Sequence, residues 1–573
     1  MSSIAPHPLL AGFAATLALA LAACSASNDE PARRAATPAP SESKAKQEVL
    51  REEVDASAPY IAQPSAVAGA LEARKATAQR APAAPLADSA GFGYQDVYRE
   101  QYQKIDSNSV RAVAQEPVST FSIDVDTGAY ANVRRFLNGG SLPPKDAVRL
   151  EELVNYFPYA YPKPEGDVPF SVATELATTP WNPETRLLRV AIKATELSAA
   201  ELPPANLVFL VDVSGSMDRR EGLPMVQATL KLLVDQLRPQ DRVALVTYAG
   251  TSSLVLESTA GSDKATIRAA IERLTAGGAT AGESGIQLAY QEAQKGLLKD
   301  GINRILLATD GDFNVGISDF ESLKQLATDK RKTGVSLTTL GFGTDNYNEQ
   351  LMEQLADAGD GNYAYIDNLR EARKVLVDQL SSTLATVAKD VKIQVEFNPA
   401  EVSEYRLLGY ENRTLKREDF ANDKIDAGEI GAGHTVTALY EVVPVGAKGW
   451  LEPLRYAQAG KAEGRPGEIA WLRLRYKAPQ GGASKLVERP IGKGEATPIA
   501  QASEDLRFAA AVAAFAQQLR DGQYTGDFSL ADSASLARGA RGDDPFGLRG
   551  EFVQLVELAQ SLQTGQNVQV RAD

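Results

Sequence analysis

Between residues 205 and 385, short apolar runs alternate with segments whose apolar residues have helical spacing. The first run, residues 207–211, is apolar throughout, which is typical of a strand buried on both faces. Val226, Leu230, Leu233 and Leu237 then share one helix face. Further predicted strands follow, each separated from the next by a helical pattern, at residues 242–248, 304–308, 335–340 and 363–366. This alternation predicts a doubly wound, Rossmann-like α/β domain over residues 205–385.

The segments on either side of this domain have different patterns. Residues 91–204 combine two short helical patterns with one half-buried strand pattern, so they predict a small N-terminal mixed α/β domain. Residues 386–573 begin with period-two alternation and end in two helical stretches, 502–521 and 549–564. They predict a C-terminal, β-sandwich-like domain with closing helices. A chain of 573 residues is long enough for three such domains.

The amino-terminal 90 residues predict no packed core. Residues 9–23 form an apolar run too short to cross a membrane comfortably, and Cys24 follows it directly. Small residues before a cysteine resemble the bacterial lipoprotein cleavage site, although no Lys or Arg precedes the run. The resemblance implies a signal peptide at 1–23, a lipid on Cys24 and a cell-envelope location, with Ser25 favouring the outer membrane. Residues 24–90, rich in Ala and Pro, predict a disordered tether.

The rare residue types exclude several kinds of site. The chain has one cysteine and two histidines, His7 and His434, so an intrachain disulfide or a Cys- or His-rich zinc site is excluded. Its formal net charge of −14 argues against nucleic acid as a partner. The sequence has no phosphate-binding Gly-x-x-x-x-Gly-Lys loop and no plausible Ser–His pair, so we expect neither nucleotide binding nor catalysis.

Oxygen-bearing side chains follow the predicted strands of the central domain. Asp212, Ser214 and Ser216 come directly after the first buried strand, and Asp310 comes after the strand at 304–308. Thr280 ends a glycine-rich loop before a helix. Because ligands of open α/β sheets bind at the carboxyl ends of the strands, we expect these segments to meet at one edge of the sheet.

Asp-x-Ser-x-Ser, a later Thr and a later Thr-Asp-Gly, in this order, resemble the metal-ion-dependent adhesion site (MIDAS) of von Willebrand factor type A (VWA) domains. With the cysteine motif, the segment 121–128 and the trailing β-rich part, the chain resembles the bacterial YfbK-like lipoproteins. The resemblance implies that Ser214, Ser216 and Thr280 bind a divalent cation directly, and that Asp212 and Asp310 act largely through water. Oxygen ligands of this kind suit Mg²⁺ or Mn²⁺ at a single site.

The function expected from this set of ligands is metal-dependent protein binding. Neutral hydroxyl ligands leave the charge of the cation poorly compensated, so its open position favours a Glu or Asp carboxylate from a partner protein. Two alternatives stay open: an envelope scaffold with a purely structural metal site, and a metal-assisted hydrolase. Asp124 and Asp126 form either a second metal site or a solvated turn before a helix.

Overall fold

The computed structural model describes residues 100–278, 282–311, 320–344, 347–452, 454–455, 464–494 and 496–570. The expected signal peptide (1–23), Cys24, the tether (24–90) and Thr280 lie outside the described residues. Residues Gly93–Asp573 belong to one compact unit. In the described part of the chain, no helix combines the length and the apolarity that crossing a bilayer requires.

The segment before the central domain contributes four strands and two helices. Helix α1 buries Tyr130, Val133 and Leu137, which lie on one face at helical spacing. Its elements are β1 (Arg111–Ala112), β2 (Val118–Ser122), α1 (Gly128–Asn138), α2 (Leu150–Asn155), β3 (Phe170–Thr179) and β4 (Asn182–Ala194).

The central domain is the doubly wound α/β domain that the sequence predicts. Its sheet has the order β10-β9-β8-β5-β6-β7, with every pair parallel except β6 and β7. A π-helical turn, Lys374–Asp378, separates the last two helices. The elements are β5 (Ala205–Asp212), α3 (Leu223–Gln236), β6 (Arg242–Tyr248), β7 (Ser252–Ala260), α4 (Lys264–Glu272), α5 (Gly282–Lys295), β8 (Ile302–Thr309), α6 (Phe320–Arg331), β9 (Ser336–Gly341), α7 (Glu349–Ala358), β10 (Tyr363–Tyr365), α8 (Leu369–Arg373) and α9 (Leu380–Leu384).

The last segment supplies most of a β-sandwich and three helices. Its elements are β11 (Thr386–Phe397), β12 (Val402–Leu408), β13 (Gly428–Gly431), β14 (Thr435–Pro444), β15 (Glu468–Ala478), β16 (Gly481–Gly492), α10 (Glu504–Leu519), α11 (Leu530–Arg538) and α12 (Leu548–Val570). One sheet has the order β1-β12-β14-β4-β3, and the other has the order β13-β11-β15-β16 with β2 also paired to β11. All of these pairs are antiparallel.

Strands from both flanking segments share these two sheets. Strand β4 pairs with β14, placing Val190 opposite Ala438, and β2 pairs with β11, placing Phe121 opposite Ile393. The division into separate domains at 91–204 and 386–573 is therefore corrected: the flanks build one sandwich, and the central domain is inserted between them. Period-two alternation shows that a segment is a strand but does not identify its partner, which is why the sequence suggested two domains.

The sandwich has one core between its sheets and a second core under its helices. Side chains of both sheets, among them Ile192, Ile393 and Tyr440, fill the space between the sheets. The closing helices pack with α1 and α2 on the outer face of the β4–β14 sheet. Rings of Phe157, Phe508 and Phe552 meet there edge to face, with centroids 4.8 to 5.6 Å apart.

Candidate metal centre

Asp212 is the last residue of β5, and three donors hold its carboxylate. The Ser214 N–H donates to Oδ1 at 2.8 Å. The hydroxyls of Thr309 and Tyr248 donate to Oδ2 at 2.9 and 3.2 Å. Tyr248 lies opposite Asp212 in the register of β5 and β6, and Thr309 ends β8 on the other side of β5. The carboxylate is fully buried and is therefore fixed in one orientation at the carboxyl edge of the sheet.

The two serines leave β5 in a tight turn. Residues Gly215–Met217 form one turn of 3₁₀ helix, which brings the Ser214 and Ser216 hydroxyl oxygens to 3.0 Å from each other. Neighbouring ligands in an octahedron with Mg–O bonds of about 2.1 Å are about 3.0 Å apart. The spacing of these two oxygens therefore fits two adjacent ligands of Mg²⁺.

Asp310 follows β8 at the same edge of the sheet and is fully buried. Its Oδ2 lies 3.6 Å from Nη2 of Arg219. Arg219 also donates to the backbone oxygens of Ser216 and Thr344, both at 2.6 Å, so it spans the rim of the site. The structure thus brings Asp212, Ser214, Ser216 and Asp310 together, as the sequence predicts. Their role as metal ligands stays a prediction.

The glycine-rich loop before Thr280 also reaches this site. The Gly277 N–H donates to the oxygen of Val213 at 2.8 Å, and the Gly215 N–H donates to the oxygen of Gly278 at 3.0 Å. Gly277 and Gly278 both have φ in the left-handed range, which only glycine adopts readily. The φ of Gly277 is near the limit of that range. The described part of this loop therefore lies against the serine turn.

Two buried carboxylates, those of Asp212 and Asp310, lie close to the turn that carries Ser214 and Ser216. Burial, together with the charge of Asp310, raises the pKa of Asp212 to about 6, although its hydrogen bonds to Ser214 and Thr309 lower it. A cation beside the two carboxylates would favour their ionised forms. The candidate ligand atoms among the described residues are carboxylate and hydroxyl oxygens, which suit Mg²⁺ or Mn²⁺.

Sequence reasoning missed Tyr248 and Arg219, and it gave Thr309 no role beyond its place in the Thr-Asp-Gly motif. Tyr248 ends the strand next to β5, and Thr309 directly precedes Asp310, so the rule that ligands meet strand ends could have found both. Arg219 lies three residues after the last serine, in a turn that no periodic pattern marks. Only the fold places it beside Asp310.

The Asp124–Asp126 segment is neither solvated nor open to a metal ion. Both carboxylates are buried, so the expected solvated turn is wrong. Asp126 accepts a hydrogen bond from the backbone N–H of Tyr363, on β10, at 2.8 Å. The Arg413 guanidinium lies 3.2 to 3.5 Å from carboxylate oxygens of Asp124, Asp126 and Glu353, and it fills the place where a cation would bind.

Three family models match consecutive parts of the chain. They describe von Willebrand factor (residues 96–189), the von Willebrand factor type A domain (206–379) and the C-terminal part of the uncharacterised protein YfbK (382–562). The match over 206–379 confirms a VWA domain, a module that generally mediates protein–protein interaction, is often metal-dependent and is typically non-enzymatic.

Individual relatives agree with these models. The uncharacterised protein YfbK of Escherichia coli K12 is 52% identical over 468 residues, covering 80% of this chain and 81% of that protein. Two more distant relatives match about a third of this chain. An uncharacterised Synechocystis protein, sll0103, is 35% identical over 33% of this chain and 43% of that protein. Human inter-alpha-trypsin inhibitor heavy chain H4 is 31% identical over 31% of this chain and 19% of that protein. The chain thus spans less than half the length of either.

Among solved structures, a von Willebrand factor type A protein from Catenulispora acidiphila is 16% identical. The match covers 66% of this chain and 88% of that protein's chain, with a TM-score of 0.39. The identity and coverage shared with the E. coli protein decide the assignment. The chain belongs to the YfbK-like family of bacterial proteins with a VWA domain.

Proposed function

We propose that this protein is an envelope-anchored, metal-dependent binding protein that captures an acidic partner through one divalent cation. Ser214, Ser216 and Thr280 would hold Mg²⁺ or Mn²⁺ directly, with Asp212 and Asp310 acting through water. The observation that carries the proposal is the 3.0 Å spacing of the two serine oxygens above a carboxylate fixed by three donors. Hydroxyl ligands add no negative charge, so the open position favours a Glu or Asp carboxylate.

The arrangement supports binding more than catalysis. The side chains described around the serine turn include two carboxylates and one arginine, but neither a histidine nor a thiol is among them. Asp212 and Asp310 are both buried. In this proposal the protein is not an enzyme, and it has neither nucleic acid nor nucleotide as a ligand.

The metal centre is tested first by thermal stabilisation of the full chain. We expect Mg²⁺ to raise the melting temperature of the natural protein and to have no effect on Asp212→Ala, whose circular dichroism should be unchanged. Asp241→Asn is the matched control, because Asp241 is buried at the opposite end of the same strands, where it accepts the Ala205 N–H at 2.9 Å. It should lose stability yet keep the Mg²⁺ response. Equal stabilisation of the natural protein and Asp212→Ala would refute the site.

Partner binding is tested separately with immobilised peptides that differ only in Glu or Gln. We expect the Glu peptide to bind in Mg²⁺, and to be released by EDTA or by the Asp212→Ala change. If Mg²⁺ stabilises the protein but the protein binds neither peptide, the protein would instead be a scaffold with a structural metal. Metal-dependent turnover of a phosphoester or peptide that is lost in Ser214→Ala would establish the hydrolase alternative.

The anchoring part of the proposal rests on residues 1–90 of the sequence. A lipid on Cys24 would tether the folded unit to a membrane of the cell envelope, with the outer membrane favoured. Labelling growing cells with a fatty-acid analogue should mark the natural protein and leave Cys24→Ser unmarked. Release of the natural protein from the membrane fraction by salt alone would contradict the anchor.

A further inference from the structure

A cavity of about 860 Å³ lies between the VWA domain and the sandwich. The π-helical turn after α8 forms one wall, and the end of β4, the β13–β14 turn and the residues before α12 form the others. None of the described metal-centre residues lines it. Its volume falls within the range of small-molecule sites, about 300–1,000 Å³, which commonly form at domain interfaces. Short π-helical turns are also frequent at functional sites.

The cavity wall carries more positive than negative side chains. Its positive residues are Lys163, Lys193, Arg370, Arg373 and Lys374, and its negative residues are Glu196, Glu201 and Asp378. This excess contrasts with the net charge of −14 of the whole chain. Arg370, Arg373 and Lys374 already contact the carboxylates of Glu551, Asp378 and Glu371. The attraction for a further anion therefore centres on Lys163 and Lys193.

Two lysines from different elements converge on one carboxylate in this wall. Lys193, at the end of β4, lies 2.9 Å from one oxygen of Glu196, and Lys163, from the loop after α2, lies 2.7 Å from the other. The Lys193 side chain is only 13% exposed, whereas that of Glu196 is 44% exposed. Glu196 therefore occupies, from a surface position, the place that the carboxylate of a ligand would take.

His434 adds a hydrogen-bonding group to the same wall. Its Nδ1 atom is buried and has no hydrogen-bond partner among the described residues, so a ligand in the cavity would meet the rest of the ring. Burial and the nearby charges of Lys374 and Lys193 lower the pKa of His434 to about 4, so the ring is neutral at pH 7. A neutral imidazole donates one hydrogen bond to an anion without adding charge. Phe546, which is 50% exposed, adds an apolar surface to the lining.

We propose that this cavity is a second binding site, separate from the metal centre, for an organic molecule that carries carboxylates. Lys163 and Lys193 would bind one carboxylate in place of Glu196, and His434 would donate a hydrogen bond to the ligand. A small tricarboxylic acid and the side chains of an acidic peptide offer the same chemistry. The experiment distinguishes these two sources.

The test uses the full chain with His7→Gln, which leaves His434 as its only histidine. Its ring resonances, labelled with ¹³C, are followed in EDTA while citrate, triglutamate or, as a neutral control, triglutamine is added. We expect citrate, triglutamate or both to shift the His434 signal in a saturable way, and triglutamine to have no effect. Response to citrate alone assigns the site to small acids, and response to triglutamate alone assigns it to peptides. No shift with either probe would overturn the proposal.

Two variants with opposite expected effects sharpen this test. Lys193→Gln should weaken binding by about tenfold or more, because it removes a charged hydrogen-bond donor. Glu196→Gln should strengthen binding severalfold, because it removes the internal competitor. Lys485→Gln, an exposed lysine on β16, is the matched control and should bind as the natural protein does. Unchanged affinity in both Lys193→Gln and Glu196→Gln would overturn the proposal, and the use of EDTA keeps this result independent of the metal centre.

Discussion

At the scale of single residues, the proposed metal centre would depend on side chains that do not themselves touch the metal. Thr309 donates its hydroxyl proton to Asp212 at 2.9 Å and accepts the N–H of Gly311 at 3.1 Å. One hydroxyl therefore fixes both the carboxylate at the end of β5 and the turn that carries Asp310. Such supporting groups orient ligands, and their loss commonly weakens metal binding about 10- to 100-fold.

Thr309→Val should accordingly raise the Mg²⁺ dissociation constant by about tenfold while the fold is kept. Valine has the same shape but cannot hold Asp212. Isothermal titration with Mg²⁺ measures the effect. Thr339→Val is the matched control, because Thr339 is equally buried on β9 but bonds to the oxygen of Met352. Equal Mg²⁺ affinities in the two variants would show that Thr309 does not support the site.

At the scale of elements, helix α5 packs on β6 at a glycine. A methyl group on Gly285 would lie 2.8 Å from Cβ of Tyr248, closer than side-chain carbons approach. The missing side chain allows α5 to approach the strand whose tyrosine supports Asp212. The packing of this helix and the geometry of the metal centre are therefore coupled through one ring.

Gly285→Ala should displace Tyr248 and reduce both stability and Mg²⁺ affinity. The clash should outweigh the gain of about 1 kcal/mol that alanine brings to a helix interior. Urea unfolding and Mg²⁺ titration measure the two effects. Gly565→Ala is the control, because a methyl group there meets open space in α12, and it should be neutral or stabilising. A Gly285→Ala protein with natural Mg²⁺ affinity would argue against the coupling.

At the scale of the whole molecule, buried charges join the VWA domain to the sandwich and to the segment before it. Arg149, at the start of α2, contacts Glu349 and Glu353 of α7 at 3.5 and 2.7 Å. Arg413, from the turn after β12, contacts Glu353 as well as Asp124 and Asp126. Acidic groups outnumber these two arginines, and burial raises the pKa of Glu349 to about 7 despite the charge of Arg149.

This raised pKa predicts a pH dependence of stability. Folded chains bind more protons at Glu349 than unfolded chains between pH 4.5, its ordinary pKa, and pH 7. The free energy of unfolding should therefore fall as pH rises through this window, with Glu349 contributing on the order of 1–3 kcal/mol. Glu349→Gln should flatten that slope in urea unfolding followed at several pH values. The exposed control Glu257→Gln should keep it, and a slope unchanged in Glu349→Gln would contradict the assignment.

The shared sheets predict how fragments of the chain behave. A fragment of residues 386–573 lacks β1 to β4, so it would expose the edges of β11, β12 and β14 and lose part of the sandwich core. We expect it to show no cooperative unfolding transition, whereas residues 100–573 should unfold cooperatively. Denaturant unfolding followed by circular dichroism tests this. A sharp transition in the fragment would show that the C-terminal segment folds independently.

The sequence by itself determined the order of the helices and parallel strands in the VWA domain and the position of Asp212, Ser214, Ser216 and Asp310 at strand ends. Hydrophobic periodicity and turn residues are local properties, so they can be recognised in the sequence without knowledge of the tertiary contacts. The half-exposed edge strand β7 was missed because its alternation is weak, with few buried positions to mark it.

Only the tertiary structure decided which strands pair across the sandwich, and that Arg413 contacts Asp124 and Asp126. Asp124 and Arg413 are nearly 300 positions apart in the sequence, and no local pattern at either one identifies the other. The same holds for Lys163 and Lys193, which share one carboxylate only after β4 has joined its sheet. Contacts of this kind depend on the closure of long chain segments, so they emerge only when the whole unit has folded.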